Sequence, residues 1–573
     1  MFHQVYDPVG SSYGWSTIFA VLPLLTVFLL LGVVKLRAQW AALLGLAVAV
    51  IVAVAVYSMP VGQALDAGLE GAAFGLFPIM WIVVNAIWIY TMTVTTGHFD
   101  VLRRSFGTVS EDQRVQAIII AFCFGALLEA LAGFGTPVAI TSVMLVALGF
   151  SKLKAAAVAL VANTAPVAFG AIAVPIVTLA ATTGRPEQNL ASIVGRQTPV
   201  LALFVPLALV FMVDGARGLR QTWPVAVLAG VAFGILQFLC SNYISIALTD
   251  VVASLGSAVA IVAFLRVWQP ADVLRGESLT EEEIQSHLTS ARDSAHEVEL
   301  GSRRAATERG TTRAAAGADA ADAAPHDSGA DIAKAYAPYL IIIAVFSIAQ
   351  IPAVKTLLAK GLYQFQWPGL SIQKPDGSTP TAVTFLFGWA SAAGTLLLVA
   401  AIISMVVLGL RPATAVRDYG RTLDQLKWAI LTVAAVLALA YVMNLSGQTT
   451  TIGTWMAGAG GLFALISPVL GWLGVAVTGS DTSSNALFGT LQVSAASGAH
   501  LDPDLMAAAN SSGGVLGKMI SPQNLAIAAA SVGMAGEEGV LLRKVVVWTV
   551  VFLVFMCALV YLQSTSVLSW MLP

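Results

Sequence analysis

The sequence predicts an all-α polytopic membrane protein of about 12 spanning helices plus two re-entrant hairpins in an inverted-repeat arrangement. Three observations carry this expectation. Of 573 residues, 58% are hydrophobic and 10% charged, with a mean hydropathy of +0.83, against about 25% charged residues in a soluble chain. Apolar runs such as 17–34, 41–57, 225–239, 251–265 and 545–562 recur, long enough as helices for a hydrocarbon core about 30 Å thick and too long for barrel strands. Finally, glycine-rich polar stretches interrupt such runs at related places in the two halves.

Taken in order, the N-terminal segment MFHQVYDPVGSSYGW has no basic start and no small-residue cleavage site, so the first run is expected to be retained as a helix. Basic residues belong in cytoplasmic loops. With the N-terminus outside, Lys35 and Arg37 fall inside, Asp66 and Glu70 outside, and a third helix over 71–92 returns to Arg103, Arg104 and Arg114 inside. Lys152 and Lys154 follow closely, so 115–150 must leave the cytoplasm and come back as a hairpin or two tight spans. Helices over 155–181, 199–213, 225–239 and 251–265 place Arg217 and Arg220 inside.

The stretch 268–335 contains AAAGADAADAAPHDSGAD, a composition unable to bury a core, and is expected to be a cytoplasmic, disordered connector. It separates membrane halves 1–267 and 336–573. In the second half, helices over 336–351, 383–410 and 428–445 put Arg411, Arg417, Arg421 and Lys427 inside. No Lys or Arg occurs between Ser446 and Asp504, so a hairpin near 461–498, centred on TGSDTSSNALFG, would start and finish outside. Arg543 and Lys544 return inside, and the C-terminus is left outside.

Two polar segments share a pattern at one constant offset. ANTAPVAFGAIAVP (162–175) and ANSSGGVLGKMISP (509–522) align Ala162 with Ala509, Asn163 with Asn510, Thr164 with Ser511, Gly170 with Gly517 and Pro175 with Pro522. Each follows a hairpin, and the hairpins enter from opposite sides, which defines an inverted repeat. Secondary transporters built this way hold their substrate near mid-membrane between discontinuous helices.

Irregular backbone at that depth is tolerated only when buried in protein or lining a wet cavity. Gly133, Gly135 and the following Pro137 therefore mark a hairpin tip, where glycine lets backbone approach a ligand and broken-helix N-termini favour an anion. Thr136, Asn163, Thr164, Ser483, Ser484, Asn485, Asn510 and Ser511 could complete hydrogen bonds to a small carboxylate; helix-to-helix bonding or back-bonding to the same helix is the plainer reading for any one of them.

A charge at the centre of a span costs about 2.5–3.5 kcal/mol on insertion scales, so Glu129, Asp481 and Lys518 need a role. Either carboxyl could carry a proton, because desolvation favours the neutral acid, and Lys518 could face the substrate carboxylate. A buried ion pair between Lys518 and one of the acids is the alternative. Glu70, His98 and Arg196 are expected at solvated helix ends, and Cys123, Cys240 and Cys557 as buried small side chains. The net charge of −2 provides no basic surface for nucleic acid. No nucleotide-binding, metallohydrolase or Ser/His/Asp pattern points to an enzyme, and no cofactor or metal is expected.

GALLEALAGFGTPVAI (125–140), NTAPVAFGAIAVPI (163–176), SDTSSNALFGTLQ (480–492) and ANSSGGVLGKMISPQNLAIA (509–528) closely resemble segments of the bacterial lactate permease family. The resemblance spans most of the membrane portion and leaves out the charged loop. The family usually has glycine directly after the acid, where this chain has Ala130. What the resemblance implies is proton-coupled import of L-lactate, D-lactate and glycolate across the bacterial plasma membrane. The residues alone reach a secondary transporter of a small organic anion, with a sodium-coupled di- or tricarboxylate carrier as the alternative; self-association is compatible with either.

Overall fold

The computed structural model describes residues 1–107, 109–133, 135–275 and 327–573. Most of the expected connector lies outside the described residues. Among those described, ten helices are long and apolar enough to cross a membrane, or eleven if the bent pair Lys152–Ala162 and Val167–Thr183 forms one span. The protein is thus an all-α multi-pass membrane protein.

Part of the difference from about 12 expected spans is one of counting, because two expected helices are joined through a turn and counted as one. Expected helices 199–213 and 225–239 belong to one 58-residue apolar stretch, Glu187–Ile244, far longer than the roughly 20 residues that cross a bilayer. It turns at Asp214–Gly215, where Gly215 has φ 61° and ψ −150°. Its arms then pack against each other: Thr198 Oγ1 donates to Gln237 Oε1 at 3.1 Å, and a Cβ on Gly230 would lie 2.8 Å from the Ala202 carbonyl. Gly215 supplies the turn and Gly230 the close approach.

Some boundaries also move. The helix expected at 428–445 begins much earlier, as Pro412–Ser446. The helix expected from 383 is delayed to Ala393–Val407, because Thr384–Gly388 pairs antiparallel with Leu362–Gln366. A second small ladder joins Phe2–His3 to Ile372–Gln373, tying the N-terminus to the same surface loop.

On the other surface, the basic segments gather. Arg104 contacts Asp327 at 2.6 Å, Arg275 contacts Glu111 at 2.7 Å, and Lys154 Nζ donates to the Val213 carbonyl at 2.8 Å. Arg114 is fully buried, paired with Asp112 at 2.6 Å and Asp214 at 3.1 Å. This knot anchors the mouth of the first hairpin to the turn of the long stretch.

That hairpin runs through Gln113–Ala132, turns at Gly133 and Gly135, and returns as Thr136–Ala147. Gly135 has φ 83°, the left-handed region open to glycine. The second hairpin consists of Phe463–Thr478 and Asp481–Gly498 around Gly479, φ 76°. Its arms are antiparallel, with Gln492 Nε2 donating to the Ser467 carbonyl at 2.9 Å and Ser484 Oγ to the Gly471 carbonyl at 3.2 Å.

Each hairpin is followed by a broken helix. Lys152–Ala162 and Val167–Thr183 meet at 64°; Pro503–Gly517 and Pro522–Ser531 are separated by a short 3₁₀ turn, Lys518–Ile520. The end of the first, at Arg185, is ion-paired with Asp504 at the start of the second. At the other end, a Cβ on Gly533, just past the second, would lie 3.4 Å from Lys152 Nζ at the start of the first. The two broken helices therefore run head beside tail, and their breaks meet in the interior.

Candidate functional site

The breaks and hairpins bring most of the polar residues singled out in the sequence into two adjoining clusters. In the first, Lys518 Nζ lies 2.5 Å from Glu129 Oε1, with side chains 8% and 3% exposed. Asn163 Nδ2 donates to Glu129 Oε2 at 3.1 Å. Of the two sequence readings of Lys518, the ion pair is the one this conformation adopts, and Glu129 is the partner.

Local backbone explains how a carboxylate fits there. Gly170 opens the second half of the broken helix, and a Cβ on it would meet Glu129 Oε1 at 2.9 Å. The next three residues, Ala171, Ile172 and Ala173, have φ of 44°, 57° and 60°, a left-handed conformation that costs about 1–2 kcal/mol per L-residue. This strained turn stands at the position matching Lys518 in the other broken helix, and Gly133 at the hairpin tip lies against both Glu129 and Ala171.

In the second cluster, Asp481 Oδ2 accepts from Ser511 Oγ at 2.6 Å and from Asn485 Nδ2 at 3.3 Å. Asn510 Nδ2 donates to Asn485 Oδ1 at 2.9 Å and reaches Ser484 Oγ at 3.5 Å. Asn485 also donates to the Pro175 carbonyl at 3.0 Å, linking this cluster to the first broken helix.

Other expectations are redistributed. Asn163 and Asn510, aligned in the two polar segments, each serve their own cluster. Thr164 Oγ1 bonds back to the Val161 carbonyl at 2.7 Å, the plainer role. Ser483 uses its backbone N–H, which donates to Ser480 Oγ at 3.3 Å and caps the helix. Thr136 opens Thr136–Ala147, whose N-terminus has no side-chain cap, while Ser480 and Ser521 cap the starts of Asp481–Gly498 and Pro522–Ser531. That tip, through Gly135, packs against Ile527 and Asn524 of the other half.

Glu70 corrects the sequence reading. It is 1% exposed rather than solvated, because Val61–Phe74 is one helix continuing inward, packed so that a Cβ on Gly71 would lie 2.4 Å from the Leu437 carbonyl. Arg196 is half-buried and donates to Asn242 Oδ1 and the Met571 carbonyl. Sequence reasoning also missed Gln492, which donates to Asn510 Oδ1 at 3.2 Å, and the chain Ser512–Gln197–Gln563, with contacts of 2.5 and 2.8 Å. The available signal was an amide inside an otherwise apolar run.

A buried carboxylate paired with a lysine beside a set of amides suits an organic anion, and the comparisons with known proteins bear on which family this is. The sequence profile described as L-lactate permease matches residues 16–567. The chain belongs to the L-lactate permease family. It is 40% identical over 595 residues to the L-lactate permease of Bacillus subtilis strain 168, covering 100% of this chain and 99% of that one. It is 39% identical over 586 residues to the L-lactate permease of Escherichia coli strain K12, with both chains covered in full. The glycolate permease GlcA of the same strain is also 39% identical, over 564 residues, covering 96% of this chain and 95% of its own. Among solved structures, that of Neisseria gonorrhoeae MtrF covers 88% of the chain at 13% identity and a TM-score of 0.43.

Proposed function

We propose that the protein is a secondary transporter that imports lactate and glycolate across a bacterial plasma membrane together with a proton, with both termini outside and the two halves related as an inverted repeat. Full-length similarity to permeases named for lactate and glycolate supports the substrates. The observation that carries the coupling is the buried 2.5 Å contact between Lys518 and Glu129.

The chemistry runs as an exchange of partners. A 2-hydroxycarboxylate entering the breaks places its carboxylate on Lys518, and its hydroxyl donates to Asn163 Oδ1, a buried acceptor without a partner. Glu129 then loses its cation while still buried. An uncompensated buried carboxylate costs several kcal/mol, so it binds a proton, and the substrate carboxylate replaces the Glu129 carboxylate beside Lys518 with no net change in the charge of the site. Substrate and proton thus favour each other by linkage. Asp481, already held by Ser511 and Asn485, keeps Lys518 oriented when Glu129 is neutral. The uncapped start of Thr136–Ala147 adds positive potential at the hairpin tip.

The test is accumulation of labelled lactate, glycolate and succinate in reconstituted vesicles under a pH gradient and, separately, a sodium gradient. Lactate and glycolate should be concentrated by the pH gradient alone. Uptake driven by sodium and indifferent to pH would replace this reading with a sodium-coupled carrier.

A further inference from the structure

One buried acid takes no part in either cluster. Asp250 lies in the first turn of Thr249–Leu265 and is 1% exposed. Gln237 Nε2 donates to its Oδ1 at 3.0 Å, while its Oδ2 is buried with no hydrogen-bond partner. Among the described residues it has no ion-pair partner. It does not cap its helix either: the N-cap is Leu248, with no side-chain cap bond.

Its surroundings connect it to the site. The same Gln237 amide donates to the Ala165 carbonyl at 3.3 Å, inside the break that follows Asn163, and Asn163 holds Glu129. One turn further along the Gln237 helix, Ser241 bonds back to Gln237 and its carbonyl accepts from Gln188 Nε2 at 3.0 Å, where Gln188 is exposed. A polar line therefore runs from a solvent-facing rim at Gln188, past Asp250, to Glu129. Of titratable groups on the packed elements, Glu129 acts on Asp250 through its charge and Cys240 is adjacent. Cys123 is engaged with Ser257. Tyr339 lies on Gly329–Ala349, Glu187 opens the long helix, and Arg114 is committed to Asp112 and Asp214.

We infer that Asp250 is a second proton-holding site of the transporter, neutral while Glu129 is ionised, which exchanges its proton with Glu129 through the break at Asn163–Ala165. A carboxylate so buried, with one amide donor and no cation, would be prohibitively costly as an anion, whereas the neutral acid puts its proton on the free Oδ2. When substrate takes Lys518, the proton leaves Asp250 Oδ2 and, carried by water in the break, forms the O–H bond on Glu129. Asp250 becomes an anion briefly and is reprotonated from the rim. This role rests on the proton-symport reading, but the neutral acid itself can be detected independently of transport.

Infrared difference spectra of the reconstituted protein at neutral pH should contain a neutral carboxyl band that Asp250→Asn removes and Glu129→Gln leaves in place. A band unchanged in Asp250→Asn overturns the assignment whatever happens to coupling. In vesicles, Asp250→Asn should slow pH-driven lactate uptake by about tenfold or more, the scale of a lost proton-transfer group, and Asp250→Glu, which keeps an acid, should recover most of the rate. Wild-type rates in Asp250→Asn overturn the relay. Loss of uptake in both variants, with a folded protein by thermal unfolding, also overturns it and makes the residue structural. A wild-type protein indifferent to pH gradients would instead sink the symport reading and leave the infrared result standing.

Discussion

Lys518 Nζ and Glu129 Oε1 are 2.5 Å apart although one residue belongs to the break of the second broken helix and the other to the arm of the first hairpin. The two halves of the chain thus meet at the centre through one buried ion pair. Breaking such a pair by deleting one partner typically costs about 3–5 kcal/mol. Lys518→Ala should therefore lower the unfolding temperature in detergent and abolish lactate binding. Adding Glu129→Gln to it should restore the unfolding temperature while binding stays lost, as measured by thermal shift and equilibrium binding. A double variant no more stable than Lys518→Ala would show that the pair does not govern stability.

Gly514 lies against Asp481: a Cβ there would be 2.3 Å from Oδ1. Gly514→Ala must push the carboxylate away from Ser511, and overpacking of this kind costs about 1–3 kcal/mol. The expected result is a folded protein whose apparent lactate affinity falls sharply in a binding titration. Unchanged affinity would remove Asp481 from the site.

Arg185 and Asp504 join the end of one broken helix to the start of the other near the surface. Half-exposed ion pairs contribute only about 0.2–1 kcal/mol, so Asp504→Asn should leave the unfolding temperature nearly unchanged. A cysteine pair at these positions should, once cross-linked, stop lactate counterflow and release it on reduction. Full counterflow in the cross-linked protein would mean that the two ends need not separate.

How much of this was legible in the sequence depends on what each residue's role required. Glu129, Asp481 and Lys518 stood out because a charge within an apolar span demands compensation, and the tips at Gly133–Gly135 and Gly479 stood out because glycine is needed where the backbone turns. The identity of the pair was not legible: Lys518 and Glu129 are brought together only by the crossing of the two halves. Glu70 was read as a solvated helix end, since hydropathy alone cannot tell an acid at the end of a span from one buried by neighbouring helices. The expected helices 199–213 and 225–239 were legible because each is an apolar run of its own; they are the two arms of Glu187–Ile244, which turns at Gly215. Thr164 follows the plainer of its two readings, its hydroxyl bonding back to the Val161 carbonyl within its own turn.

The two hairpins should open toward opposite sides. Ser151 and Ser497, both exposed, stand at their mouths. Single cysteines there, in a cysteine-free background, should differ in labelling by an impermeant reagent applied to intact cells, with Ser497→Cys labelled and Ser151→Cys protected. Equal labelling would refute the inversion.

The central claim is that Glu129 takes the coupling proton when lactate takes Lys518. Glu129→Gln mimics the protonated acid and frees Lys518, so the variant should fold, bind lactate and exchange it. It should fail to concentrate it, whereas a one-proton symporter in a gradient of about one pH unit concentrates lactate about tenfold. The decisive measurement compares pH-driven accumulation with lactate counterflow in the same vesicles. The account predicts counterflow retained and accumulation abolished in Glu129→Gln; accumulation at the wild-type level would contradict it and transfer the role to another acid, Asp481 first.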